Sequence, residues 1–238
     1  MKNLHDLLAF LPLFDWLALF VFFAAWLGYA SFAKQRAHYE GSLLAATNLE
    51  RWRWMYQATF REVRVVDGVV VQNMSTSPSF FASTTILIIG GLLAILGAGE
   101  KASELVRELP FAARTSELVF DLKLVLLTSI FVYAFFRFTW SMRQYTFGAL
   151  LVGSAPEYTQ FERGEASREV FADRAGRVMG LAAETFNDGL RAYYLSFAAV
   201  AWFFSPWAFL VATAGVIYVL YQREFHSDVL KVLRSDPP

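Results

Sequence analysis

Three adjacent hydroxyl side chains, Ser83, Thr84 and Thr85, lie just ahead of Gly90-Gly91 in a long apolar run. Successive helical residues are about 100° apart, so the three cannot share one face. Hydroxyls in the first turn of a membrane helix suit coordination of an ion or water, beside amide groups that favour anions. The same residues suit helix packing, with hydroxyls bonding back to their own turn and glycines admitting a neighbour. Both readings stand on the residues alone.

Three further groups carry charge or polarity at the edges of apolar runs. Asp121 and Lys123 open the third run and Arg137 closes it. Ionisable groups inside a membrane are functional candidates, whereas lysine and arginine near a span end can snorkel to the interface. Arg64 and Asp67 are spaced i,i+3, and Arg61 sets a second guanidinium beside Arg64. Such a set can bind a lipid phosphate, guard the mouth of a pore, or form the headgroup-facing side of an interfacial helix. Asn187, Asp188 and Arg191 stand where the fourth run begins, with Asn187 and Arg191 sharing a face at i,i+4. These are polar candidates for an ion or solute pathway.

Catalytic chemistry has little support. The chain has no cysteine, which excludes disulfides, thiolate metal sites and thiol nucleophiles. His5, His38 and His226 are isolated and have no metal-ligand partner at helical spacing. Gly90-Gly91 lacks the spacing of a phosphate-binding loop. The expectation is a protein that is not an enzyme and carries neither metal nor cofactor. Lysine plus arginine and aspartate plus glutamate both number 21, so net charge gives no reason to expect nucleic acid as a partner.

The elements that must position these residues follow from hydropathy. Hydrophobic residues make up 56% of the chain and charged ones 18%, against about 45–50% and 25% in soluble domains. The excess is gathered into blocks long enough to cross the ~30 Å hydrocarbon layer as helices. The blocks predict an all-α integral membrane protein with four transmembrane helices, at about 15–33, 80–97, 118–138 and 195–221. Asp15 is placed to cap the first, Ser77-Pro78-Ser79 to introduce the second, and Pro206 to kink or break the fourth. Apolar periodicity predicts two amphipathic helices, at about 43–74 and 167–194, the second running into the fourth span. Within the first, Val65 to Val71 also reads as a hairpin around Asp67-Gly68, and the continuing period favours helix. Asp173 and Arg177 are spaced for a supporting ion pair. Residues 153–164 read as a polar loop, Met1 to Pro12 as a short interfacial segment, and Gly99 to Ser116 as a connection broken by Pro110. All of this forms one membrane domain.

Basic residues set the expected orientation. The first and third connections carry Lys34, Arg36, Arg51, Arg53, Arg61, Arg64, Arg137, Arg143, Arg163, Arg168, Arg174, Arg177 and Arg191. The other side carries Lys2, Lys101, Arg107, Arg114, Arg223, Lys231 and Arg234. The excess places the long connections in the cytoplasm and both termini in the periplasm, with the bacterial inner membrane as the expected location.

The runs Phe80 to Leu92, Leu109 to Arg114, Phe131 to Trp140, Phe186 to Tyr194 and Arg223 to Phe225 resemble a bacterial and plant membrane family catalogued as domain of unknown function 599. The resemblance covers nearly the whole chain and implies no catalytic or binding residues. The residues favour an oligomeric channel or transporter for a small ion or solute. Ser83, Thr84 and Thr85 would line it, Arg61, Arg64 and Asp67 would stand near its inner entrance, and Asp121, Lys123, Asn187 and Arg191 would serve along the path. Four spans make a poor pathway alone, so a homo-oligomer in the lipid bilayer is expected. The alternative is a non-catalytic scaffold or accessory subunit of a larger membrane complex.

Overall fold

The computed structural model describes residues 11–36, 41–98 and 116–235. Every regular element among them is helical: α1 (Leu13–Arg36), α2 (Leu43–Ala58), α3 (Val65–Gly97), α4 (Glu117–Gly153), α5 (Tyr158–Glu162), α6 (Arg168–Ala201), α7 (Pro206–Phe225) and α8 (Asp228–Arg234). Three of them, α1, α3 and α4, are long and apolar enough to cross a membrane. The interfacial segment at residues 1–10 and the Pro110 connection at residues 99–115 lie outside the described residues.

Four expected boundaries change. The amphipathic helix expected over 43–74 is two helices, because residues 59–64 leave the helical path. Thr59 turns its hydroxyl back to Tyr56 O at 2.7 Å, and Arg168 donates to Thr59 O at 2.8 Å. Arg64 Nε takes Ala58 O at 2.9 Å. Two guanidinium groups thus satisfy the final carbonyls of α2, where positive charge complements the helix dipole. Val65 to Val71 is helix rather than hairpin and continues through Pro78 to Gly97. The third span continues to Gly153, well past 138. Within the 153–164 loop lies the short helix α5, closed by Gly164 at φ +70°, a conformation that favours glycine.

The stretch expected as a fourth span, 195–221, is not one helix. Residues 202–205 separate α6 from α7, with three successive i→i+3 bonds from Trp202, Phe203 and Phe204 tightening the end of α6. Ser205 Oγ then accepts from Ala208 N at 3.0 Å, and Pro206 follows as the first residue of α7. Serine at the cap with proline at the first helical position starts a new helix instead of bending an old one.

The chain forms two compact units, and each is described by itself. Unit 1 holds the described residues within 1–32, 84–134 and 190–222, and unit 2 those within 33–83, 135–189 and 223–238. Unit 1 packs through aromatic rings. Phe22 meets Phe209 at 4.9 Å, Trp202 stacks on Phe209 at 5.4 Å, and Trp26 stands edge-on to Tyr133 at 5.5 Å. In a bilayer such contacts hold helices by close packing rather than by removal from water.

Unit 2 packs through small residues. Ala172, Ala175, Met179 and Ala182 on α6 are wholly buried with Met55, Val71 and Tyr145. Glycines bring backbones together there: a Cβ on Gly176 would lie 3.0 Å from Trp52 Cα, and one on Gly180 2.9 Å from Asn48 Oδ1. Gly189 likewise accepts the Phe138 ring, which a Cβ would meet at 2.5 Å. Also in unit 2, Glu224 Oε1 accepts Leu44 N at 3.0 Å at the start of α2.

Candidate functional site

The turn between α6 and α7 frees the Trp202 carbonyl, and side chains from two other helices of unit 1 meet Trp202. Lys123 Nζ, on α4, donates to Trp202 O at 2.9 Å. The same ammonium lies 5.3 Å from the Trp202 ring centroid and 5.8 Å from that of Phe203. From α1, Asp15 Oδ1 accepts the Trp202 indole N–H at 2.6 Å. Trp202 is therefore gripped at its carbonyl by a cation and at its indole by an anion. Lys123 is 2% exposed and Asp15 7%. Asp15 does not cap α1, which begins two residues earlier at Leu13. Nor does Lys123 snorkel, because it turns into the protein to meet a carbonyl that only the interruption makes available.

Unit 2 concentrates its charges around Asp188. This α6 carboxylate, 5% exposed, is bound by Arg137 from α4 and lies 3.4 Å from Lys34 Nζ at the end of α1. Lys34 also reaches Glu184 at 3.3 Å. Arg137 is thus a partner within the fold, and α6 brings Glu184 and Asp188 to the cations at i,i+4. Beside this cluster a polar cleft of about 370 Å³ is lined by Lys34, Asn48, Trp52, Asp173, Arg177 and Glu184 among others. Asp173 and Arg177 pair there at 3.7 Å, as their spacing predicts.

The turn between α2 and α3 pairs its charges differently from the expectation. Asp67, 1% exposed, accepts from Arg61 and from Trp54 Nε1 at 2.7 Å, both on Oδ1. Arg64 is not the pair partner: its Nε serves Ala58 O, and its guanidinium lies 5.9 Å from the Phe161 ring centroid. Burial pushes the Arg64 guanidinium below its ordinary pKa, against the opposing pull of Asp67. Arg51 on α2 is likewise lowered by burial, and donates to Thr47 Oγ1 at 3.0 Å and Asn48 Oδ1 at 2.8 Å.

The hydroxyl triplet divides as helix geometry requires. Ser83 is exposed, Thr84 half-buried and Thr85 wholly buried. Thr85 Oγ1 shares a hydrogen bond of 2.7 Å with the Tyr193 hydroxyl. A Cβ on Gly90 or Gly91 would meet nothing within 4 Å among the described residues, so none of these packs closely on either glycine. Arg191 is buried with its guanidinium 5.8 Å from the Tyr29 ring centroid, while Asn187 is half-buried in unit 2. Asp121 is half-buried and its Oδ1 has no hydrogen-bond partner among the described residues.

The structure thus joins Lys123 to Asp15 and Trp202, and Arg61 to Asp67 and Trp54. It does not gather Ser83, Thr84 and Thr85 on one surface. Asp15 as a buried partner and Trp202 as its hub escape a reading of the sequence, because neither has a local signal beyond Pro206 four residues on. Two apolar grooves flank α1 in unit 1, about 420 Å³ against α7 and about 300 Å³ against α4. Among the described residues no three His, Asp or Glu side chains gather to hold a metal ion.

Among the described residues every element is helical, and three helices long and apolar enough to cross a membrane mark the chain as a membrane protein. A family profile described as "Protein of unknown function, DUF599" matches residues 17–229, and the chain belongs to that family. No curated protein and no solved structure matches it.

Proposed function

We propose that the chain assembles in the membrane as an oligomeric channel or carrier for a small ion or solute. The stretch expected as a fourth crossing is instead two antiparallel helices in unit 1: Arg191 and then Trp202 of α6 meet Tyr29 and then Asp15 of α1, whereas Trp207 and then Tyr221 of α7 meet Phe14 and then Phe32. The observation that carries this reading is the interruption at residues 202–205, where a buried ammonium serves the freed Trp202 carbonyl and a buried carboxylate stands at its indole. Residues 202–205 turn the chain back beside Asp15, at the start of α1, and ionisable groups buried in a membrane protein are functional candidates. The polar path therefore runs past Trp202 and not along Ser83, which faces away from the protomer. The proposed orientation keeps the long connections in the cytoplasm of the bacterial inner membrane and the N-terminus in the periplasm, in line with the excess of basic residues on those connections, whereas the end of α7 stands with the first connection, where Glu224 accepts Leu44 N.

A second reading has its own support. Only 17% of the most apolar stretch of α3 is buried within the protomer, against 44% for α4. Such a surface also suits a scaffold or accessory subunit packed against a larger membrane complex.

Flux in reconstituted liposomes separates the two. The transport reading requires release of some member of a broad ion and solute panel, above that of empty liposomes and lowered by Asp15→Asn. A Ser83→Ala/Thr84→Ala double variant then locates the path: unchanged flux supports the interruption, and lowered flux moves it to α3 in a multimer. Absence of flux across the panel, with stoichiometric co-purification of another membrane complex, would refute transport and favour the scaffold.

A further inference from the structure

The two charge systems of this chain are built differently. In unit 2, nitrogen and oxygen meet directly, as Asp188 does with Arg137 and Lys34. In unit 1, Lys123 makes no ion pair among the described residues, and its ammonium donates to Trp202 O. Lys123 and Asp15 each hold a different end of Trp202. An ammonium has three N–H donors, and here one carbonyl and two aromatic faces answer them.

The other described charges of unit 1 are few. Asp15 comes from α1, Glu117 and Asp121 lie on α4 itself, and Arg191 comes from α6. The described parts of α3 and α7 within unit 1 bring none. Glu117 is exposed, and Arg191 is engaged with the Tyr29 ring. Asp15 and Asp121 are thus the carboxylates nearest in the fold and sequence, and neither touches the ammonium.

Residue type then matters. Arginine keeps its proton in proteins, whereas a buried lysine exchanges its proton readily, and the site without a direct counter-ion holds the lysine. We propose that Lys123 is a proton-exchanging group whose charge state sets how firmly the α6–α7 interruption is held. This rests on the transport reading only for its use in coupling flux to protons; the latch itself does not. Protonated, Lys123 gives the Trp202 carbonyl a charge-assisted bond and faces two rings. On losing its proton to solvent base it keeps only a neutral amine donor and loses the attraction to the rings. The backbone at residues 202–205 is then free to rearrange, and the Asp15 carboxylate is left as the charge beside Trp202.

The test follows Trp202 itself. Protein labelled with 5-fluorotryptophan is placed in lipid nanodiscs, and the Trp202 fluorine resonance is assigned by its loss in Trp202→Phe. Across a pH series the wild-type resonance is expected to move between two plateaus. In Lys123→Arg, which stays charged, and Lys123→Met, which stays neutral, that movement is lost. Circular dichroism checks that each variant is folded, and the arginine variant preserves the test should methionine prevent folding. A wild-type resonance that does not move, or one that moves equally in Lys123→Arg, overturns the proposal, the second outcome assigning the proton to Asp15. Flux is measured on the same preparations. A titrating Trp202 without flux upholds the latch and removes the transport reading, and flux with a static Trp202 does the reverse.

Discussion

Replacing Asp188 by asparagine removes one charge from a site that holds two cations against it, Arg137 in direct contact and Lys34 at 3.4 Å. Removing one partner of a buried pair costs about 3–5 kcal/mol, because the remaining charge is left without compensation. Arg137 is 27% exposed and Lys34 45%, so water offsets part of that loss, and the low end of about 3 kcal/mol is expected. For a chain of this size that is about 6–12 °C in the midpoint of thermal unfolding. The assay is thermal unfolding in a mild detergent, followed by tryptophan emission and by the fraction remaining monodisperse. Lys34→Met alone should cost no more than about 1 kcal/mol, since its ammonium is half in solvent. The double variant Asp188→Asn/Arg137→Met should recover part of the loss, because replacing both partners of a buried pair by uncharged groups is often nearly neutral. A midpoint for Asp188→Asn within 1–2 °C of wild type, roughly what a surface substitution produces, would refute the view that this cluster ties α1, α4 and α6 together.

Glycine positions give a paired prediction. Gly189→Ala drives a Cβ to 2.5 Å from the wholly buried Phe138 ring and should cost about 1–3 kcal/mol in the same assay. Gly91→Ala meets nothing among the described residues, so loss of assembly in light scattering at unchanged helix content would report a second copy on that face of α3. The Glu169 carboxyl is held below its ordinary pKa by the backbone N–H at its own position and by the Ser167 hydroxyl. Its stabilising contribution is therefore present above the unfolded carboxyl pKa and is lost as pH falls through the lower folded value. Glu169→Gln should flatten the acid limb of the stability profile in proportion, and an unchanged limb would show that the carboxylate contributes nothing.

Local sequence showed the apolar spans, the continuous α6 stripe and the Asp173–Arg177 pair, because each depends on residues within a few turns. Where α2 stops was hidden, since the groups that take its last carbonyls include Arg168, 109 residues away. Its guanidinium also binds Glu162 and lies 4.0 Å from the Phe60 ring centroid, contacts that no periodicity encodes. Pro206 announced a break, yet not that Lys123 and Asp15 would meet there, for these come from helices that begin more than 80 residues upstream. The hydroxyl triplet was left open for a related reason. Residue type at Ser83 to Thr85 carries no information about which face a neighbouring helix covers, and only Thr85 is wholly buried.

Trp202 also constrains how the chain comes into being. Synthesis proceeds from the N-terminus, and elements made first are available to those made later. Asp15 and Lys123 precede Trp202 in chain order, so both ends of its grip are already made when residues 202–205 emerge from the ribosome. The apolar length of α3 needs little of the protomer around it and can enter lipid on its own account. The stretch after Ala201 differs, because the Trp202 carbonyl has its partner on α4 and the Trp202 indole its partner on α1. A defect at either charge should therefore appear first around residues 202–205, the last part of this site to be made.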